Sequence, residues 1–202
     1  ILSGLVGSEM CIRDRYWNNP AATADAFSEG GWFRTGDIGS FDSEGFLTIT
    51  GRKKEIIVTA GGKNVAPAAL EDPIRANPII GQVVVVGDQR PFISALITLD
   101  PEMLPTWLAN AGLPKEMSLV EASKNDAVRA EIQRAVDAAN ARVSRAESIR
   151  KFTVLDSEWT EASGHLTPKM SIKRNVIMSD FADEIAAIYD EPVTTTNVAL
   201  GG

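Results

Sequence analysis

The chain has 202 residues, 44% hydrophobic and 23% charged, which suits one ordinary globular domain or one domain with part of another. Its formal net charge of −7, from 20 Lys and Arg against 27 Asp and Glu, argues against non-specific nucleic-acid binding, which needs phosphate neutralisation. One cysteine (Cys11) and one histidine (His165) exclude a disulfide framework, a cysteine metal cage, a multi-histidine metal site and a histidine-based triad, and fit a reducing, cytoplasmic compartment.

No apolar run approaches the ~20 residues of a membrane-spanning helix. Residues 1–15 (ILSGLVGSEMCIRDR) lack the basic start and sustained apolar core of a signal peptide. They read as a non-native or disordered leader. Asn19-Pro20 marks a turn, and residues 21–27 are Ala-rich with Pro20 suited to a first helical position, so a short helix is expected there. Residues 32–35 and 38–41 read as strands around a Gly36-Asp37 turn. Residues 46–50 return antiparallel after the connection Asp42-Ser43-Glu44-Gly45.

Gly51-Arg52-Lys53-Lys54-Glu55 breaks the strand pattern with charge. A short strand is expected at 56–58, a loop at 60–64 and a helix from about 67 to 76, short or kinked because Pro73 removes a backbone donor. Residues 79–87 (IIGQVVVVG) and 92–99 (FISALITL) predict a buried hairpin at the core of a second unit. Short helical pieces follow within 101–119. Residues 126–148 predict the longest helix, with Ile132, Val136, Ala139 and Val143 forming its apolar stripe. A strand is expected at 149–155, a loop at 159–168 and a basic segment at 169–174. A last helix is expected at 181–189, capped by Ser179 or Asp180, and residues 191–202 read as a flexible tail.

Polar groups with specific chemistry sit at the junctions. Asp37, on a turn after Thr35-Gly36, can accept two hydroxyl hydrogen bonds, as a vicinal diol offers, or simply cap its own turn. Arg52 can reach the same ligand or stand as a solvated cation. Gly61-Gly62 before Lys63 allows close approach of a phosphate or a thin chain, or only a turn, and lacks the spacing of a P-loop. Lys169 and Lys173, in TPKMSIKR, can stabilise negative charge developing on oxygen, or form a solvated strand edge.

The segments YWNNPAATADAF, GWFRTGDIG, GRKKEIIVTAGGKNVAPAALE and LTPKMSIKR, in this order, resemble the C-terminal part of adenylate-forming enzymes, and most of all long-chain fatty acyl-CoA synthetases. The resemblance spans residues 16–189. It implies an α/β (α+β) fold in two pieces: residues 16–52 as the end of a large domain, in its β-hairpin region, and 53–190 as a small mobile C-terminal domain, a β-sheet flanked by helices. It implies activation of a carboxylate with ATP and Mg²⁺, then transfer of the acyl group to CoA. Asp37 is then expected to bind the ribose hydroxyls of ATP or AMP, with Arg52 supporting the nucleotide. Lys54 is expected to be the hinge, and the loop with Gly61, Gly62 and Lys63 to line the CoA path.

The last motif departs from the family. Strict alignment puts Ser171 where the adenylation lysine is expected. Lys169, two positions earlier and on the same side if the segment is extended, is the first substitute, and Lys173 the second. The family's phosphate loop, its acidic Mg²⁺ motif and the acyl pocket lie upstream. This stretch alone is therefore expected neither to hydrolyse ATP nor to make acyl-CoA. In the whole enzyme, fatty acid, ATP and CoA are the expected partners. No nucleic acid and no membrane span are expected, while peripheral membrane association stays open. The segment 101–147 favours the long-chain group over ligases for aryl or medium-chain acids. A non-catalytic α/β binding module is the remaining alternative.

Overall fold

The computed structural model describes residues 15–190, so the expectations for the leader up to residue 14 and for the tail 191–202 lie outside the described residues. The chain divides into two compact units, with the boundary between Lys54 and Glu55.

In the first unit, helix α1 (Pro20–Ala26) starts as its sequence dictates. The Asn19 side chain accepts from the Ala22 amide at 3.0 Å, and Pro20 occupies a first-turn position that needs no donor. After a turn closed by Gly31 (φ 76°), residues 32–35 do not form the expected strand. They make a single bridge, Phe27 to Phe33, with the two rings edge to face. Left-handed glycines at 31 and 36 bound this run and stop it extending into a ladder.

The expected hairpin is present as β1 (Asp37–Phe41) and β2 (Leu47–Arg52), paired antiparallel. Asp42 builds its turn, one carboxylate oxygen accepting from the amides of Glu44 and Phe46 at 2.9 Å each. No described residue of this unit is buried. Trp32, Phe33, Phe41, Phe46 and Ile49 are all at least half exposed.

The second unit begins with a small hairpin, β3 (Ile57–Val58) and β4 (Asn64–Val65). Helix α2 (Ala68–Arg75) follows and is short, ending two residues after Pro73. The central sheet has the order β5 (Ile80–Val86), β6 (Ile93–Leu99), β7 (Ile149–Val154). The first pair is antiparallel, as expected; the second is parallel, which the sequence reading did not foresee. The parallel pairing requires a crossover, and α3 (Leu104–Asn110), α4 (Leu119–Lys124) and α5 (Asp126–Asn140) supply it.

Both faces of this sheet are covered, which explains why β5 and β6 are nearly continuous apolar runs. Val83, Val85, Ala95 and Ile97 face a core shared with Leu70 and Ile74 of α2 and with Ile132 and Val136 of α5. Val84, Val86 and Leu96 face the opposite cluster, with Trp159, Leu166, Ile177, Ile185 and Ile188. The period of two along a strand thus feeds two cores.

Strands β1 and β2 also take in Asp37 and Gly51-Arg52, expected in a turn and a charged break, and further boundaries differ from expectation. Helix α5 stops at Asn140, not near 148, because the Asn140 amide exchanges two hydrogen bonds with the backbone of Ile149 (2.8 and 3.0 Å) and turns the chain into β7. Helix α4 was not foreseen, although Ser118 and Glu121 form the reciprocal capping box that marks such a start. Ser179 and Asp180 do not cap the last helix. They lie inside α6 (Arg174–Asp180), and Phe181 separates it from α7 (Ala182–Asp190).

Candidate functional site

In the first unit, the hairpin register sets Asp37 directly across from Arg52. Arg52 Nε stands 3.3 Å from Asp37 Oδ1, and the Asp37 side chain keeps 31% of its surface exposed. The Asp37 amide donates to Thr35 Oγ1 at 3.1 Å, and Gly36 takes the left-handed conformation (φ 77°) that brings the chain into β1. The two residues singled out separately in the sequence are therefore one cross-strand pair. It joins an acceptor with open lone pairs to a delocalised cation, a combination that suits a ligand carrying both hydroxyls and anionic oxygens.

Lys54 lies in a single 3-10 turn, Lys53–Glu55, exposed and at the boundary of the two units. The turn starts where the Lys53 amide donates to the Gly36 carbonyl at 2.8 Å. In the second unit, the glycine loop is the tight connection of the β3–β4 hairpin. Asn64, expected in the loop, belongs to β4. Gly62 (φ 77°) is required by the turn, since its amide donates back to Thr59 O at 2.8 Å. At Gly61 a Cβ meets only Thr59 Oγ1, 3.9 Å away, so the fold itself does not demand glycine there. Lys63 is 3.5 Å from Glu147. Hydrogen bonds from Ser144 hold the Glu147 carboxyl below its ordinary range, and the Lys63 ammonium acts in the same direction.

The segment with Lys169 and Lys173 is not extended as assumed. Leu166 and Ile172 bridge, and residues 167–171 form a tight turn between them. The Thr167 amide donates to Ser171 O (2.9 Å), the Met170 amide to Thr167 O (2.8 Å) and the Ser171 amide to Thr167 Oγ1 (3.1 Å). Met170 is left-handed (φ 59°), so alternation does not relate the sides of Lys169 and Ser171. Lys169 stands exposed in the turn. Lys173, also exposed, is the N-cap residue of α6, its amide donating to His165 O at 2.8 Å.

The next residue, Arg174, points inward. Its Nη2 donates to both Glu71 carboxylate oxygens (2.8 and 2.9 Å), and its Nη1 to the Val85 carbonyl (3.1 Å). Glu71 Oε1 also accepts from the Val85 amide at 2.7 Å, and the Glu71 side chain is 7% exposed. This fork ties α2, β5 and α6 together. Neither Glu71 nor Arg174, one residue of the basic segment 169–174, announces this contact in the sequence, since nothing local pairs residues 103 apart.

His165 lies in the loop 159–168, with its side chain largely covered. Its ring packs against Trp159 and Phe181, which also contact each other, with Ser163 Oγ 2.8 Å from Nδ1 and Asp180 Oδ2 3.1 Å from Nε2. Both nitrogens are engaged in holding the loop 159–168 to α6. Among the described residues, no three His, Cys, Asp or Glu side chains converge as a metal site, and no helix is long and apolar enough to cross a membrane.

Comparison with known proteins bears on this arrangement. The profile described as "AMP-binding enzyme C-terminal domain" matches residues 54–192. Long-chain-fatty-acid–CoA ligase FadD15 of Mycobacterium tuberculosis is 55% identical over 176 residues, 87% of this chain and 29% of that protein. Long-chain-fatty-acid–CoA ligase ACSBG2 of Gallus gallus is 36% identical over 210 aligned residues, 93% of this chain and 28% of that protein. Among solved structures, the adenylation domain of the carboxylate reductase from Mycobacterium chelonae superposes with a TM-score of 0.68 at 25% identity, covering 88% of this chain and 26% of its own. The chain thus spans under a third of the curated relatives it matches. A match over more than half of its length shows that this chain belongs to the family of AMP-binding enzyme C-terminal domains.

Proposed function

We propose that this segment serves a long-chain fatty acid–CoA ligase, with residues 16–52 closing the large nucleotide-binding domain and 53–190 forming its mobile lid. The observation that carries the reading is the 55% identity with a ligase named for long-chain fatty acids. The cross-strand pairing of Asp37 with Arg52 supports it, because both expected nucleotide contacts meet on one hairpin. In the first step the fatty carboxylate attacks the α-phosphorus of ATP and pyrophosphate leaves. In the second, the CoA thiol attacks the acyl carbon, loses its proton and expels AMP.

Asp37 receives the ribose hydroxyls and Arg52 flanks the nucleotide. Lys54 is the pivot between the two steps, and the turn with Gly61, Gly62 and Lys63 borders the CoA arm. Lys169, at the hairpin tip, is the first candidate to neutralise charge in adenylation, ahead of Lys173. Mg²⁺ is a cofactor of the reaction, and the described residues offer no carboxylate cluster to hold it. We place the enzyme in the cytoplasm.

The test uses a full-length protein carrying this segment. Palmitate-dependent exchange of pyrophosphate into ATP is expected, with a clear preference over aryl and medium-chain acids. Lys169→Ala is expected to slow that exchange with thioester formation from preformed acyl-adenylate retained. No exchange with any fatty acid refutes the reading, and a normal rate in Lys169→Ala removes Lys169 from its role.

A further inference from the structure

The Glu71–Arg174 fork lies between two segments that the proposed function uses in different steps, and the inference below rests on that function. Arg174 follows Lys173 directly and opens α6, so its guanidinium fixes the end of the Lys169–Lys173 hairpin. Glu71 sits in α2, which follows the Thr59–Lys63 turn through β4. Both side chains also hold the backbone of Val85 in β5, through its amide and its carbonyl. The two segments are thus referred to one strand of the central sheet through a single carboxylate.

Arg174 Nη2 reaches both Glu71 oxygens while Nη1 takes the Val85 carbonyl, so one planar guanidinium fixes the orientation of both partners as well as their distance. The pair is costly to desolvate, and an apolar pair in its place is often no less stable. Its geometric precision is what an apolar pair does not reproduce.

We propose that Glu71 and Arg174 are positioning residues for both half-reactions: their partly buried ion pair holds the lysine hairpin and the glycine turn in one rigid frame, so that a single rotation of the lid presents either one correctly placed. Neither residue touches substrate. They act through Lys169, Lys173 and the Thr59–Lys63 turn.

The experiment takes the full-length protein with Arg174→Lys, which keeps the charge and loses the fork, and Glu71→Gln, which keeps an acceptor for the Val85 amide and loses the charge. Amide hydrogen exchange reports the frame. Pyrophosphate exchange and thioester formation from preformed acyl-adenylate report the two steps. At temperatures where circular dichroism shows the variants fully folded, exchange is expected to quicken in residues 59–63 and 165–173. Both kcat values are expected to fall about 10- to 100-fold, with KM for ATP nearly unchanged, as misplacement by an ångström does. Arg174→Lys should lose less than Arg174→Met.

Unchanged exchange in those segments, or quickened exchange with normal kcat, overturns the proposal. So does a kcat loss that only follows the unfolded fraction and disappears on cooling. Inactivity of the unmodified enzyme strikes the proposed function instead, whereas an active enzyme with unaffected variants strikes this inference alone.

Discussion

Replacing Gly39 by alanine tests the hairpin that brings Asp37 to Arg52. Gly39 sits beside the register shift in β1, opposite Ile49. A Cβ there stands 2.8 Å from Leu47 Cδ1 and 2.8 Å from the Thr48 carbonyl oxygen. The leucine methyl can swing into solvent, since Leu47 is 40% exposed. The carbonyl belongs to the partner strand and moves only if the strands part. Overpacking of this kind costs about 1–3 kcal/mol. A two-stranded pair is only marginally stable in water, so a loss of that size is enough to open it.

The assay is amide hydrogen exchange resolved by residue. Exchange across residues 37–52 is expected to rise, by up to about 5- to 140-fold if the loss is expressed as a ratio at 1.4 kcal/mol per decade, and to stop rising once the hairpin is open. Amides of β5 and β6 belong to the other compact unit and should exchange as before. Unchanged protection in the hairpin refutes the close-approach argument. Equal acceleration in β5 and β6 refutes the independence of the two units.

In a full-length protein, Asp37→Asn removes a charged acceptor worth about 1.5–3 kcal/mol. Calorimetry with AMP should show binding weakened about 10- to 150-fold, and an unchanged Kd removes Asp37 from the site. Ile132→Ala empties a fully buried position where α5 meets the sheet and should cost about 2–5 kcal/mol in urea unfolding, against under 0.5 kcal/mol for a surface change such as Gln133→Ala. Burial raises the Tyr189 phenol above its ordinary 10.0, so the fold favours its neutral form. That stability is fully present below pH 10 and is lost as pH rises through the folded value. In a Tyr16→Phe background, phenolate absorbance should therefore appear later in the native chain than in the denatured one, and coincident curves refute the assignment.

Much of the fold was legible because its signals are local or periodic. Asn19-Pro20 is a helix start in either context. Asp42 to Gly45 is a turn by its own side-chain chemistry, and Ile132, Val136 and Ala139 mark one face of α5 wherever it packs. The candidate site was legible in part for the same reason, since Asp37 and Arg52 sit at the ends of a hairpin whose turn fixes their register. The ring contacts of His165 were not legible, because a lone histidine carries no sign of the aromatic rings that pack on it. The condition that would set Lys169 on the side of Ser171 fails because a left-handed methionine breaks the alternation of an extended segment.

The sequence by itself determined most of the helices, strands and turns, which faces are apolar, and which family the motifs resemble. These follow from side-chain shape, capping and period, which act over a few residues. Only the tertiary structure decided that β7 lies parallel to β6, that the two faces of one sheet feed separate cores, and that Glu71 meets Arg174 across 103 residues. Such pairings arise when the chain closes long loops and must satisfy whatever polar groups the packing has buried. The partner of a buried carboxylate is therefore set by the whole fold and not by its neighbours in the sequence.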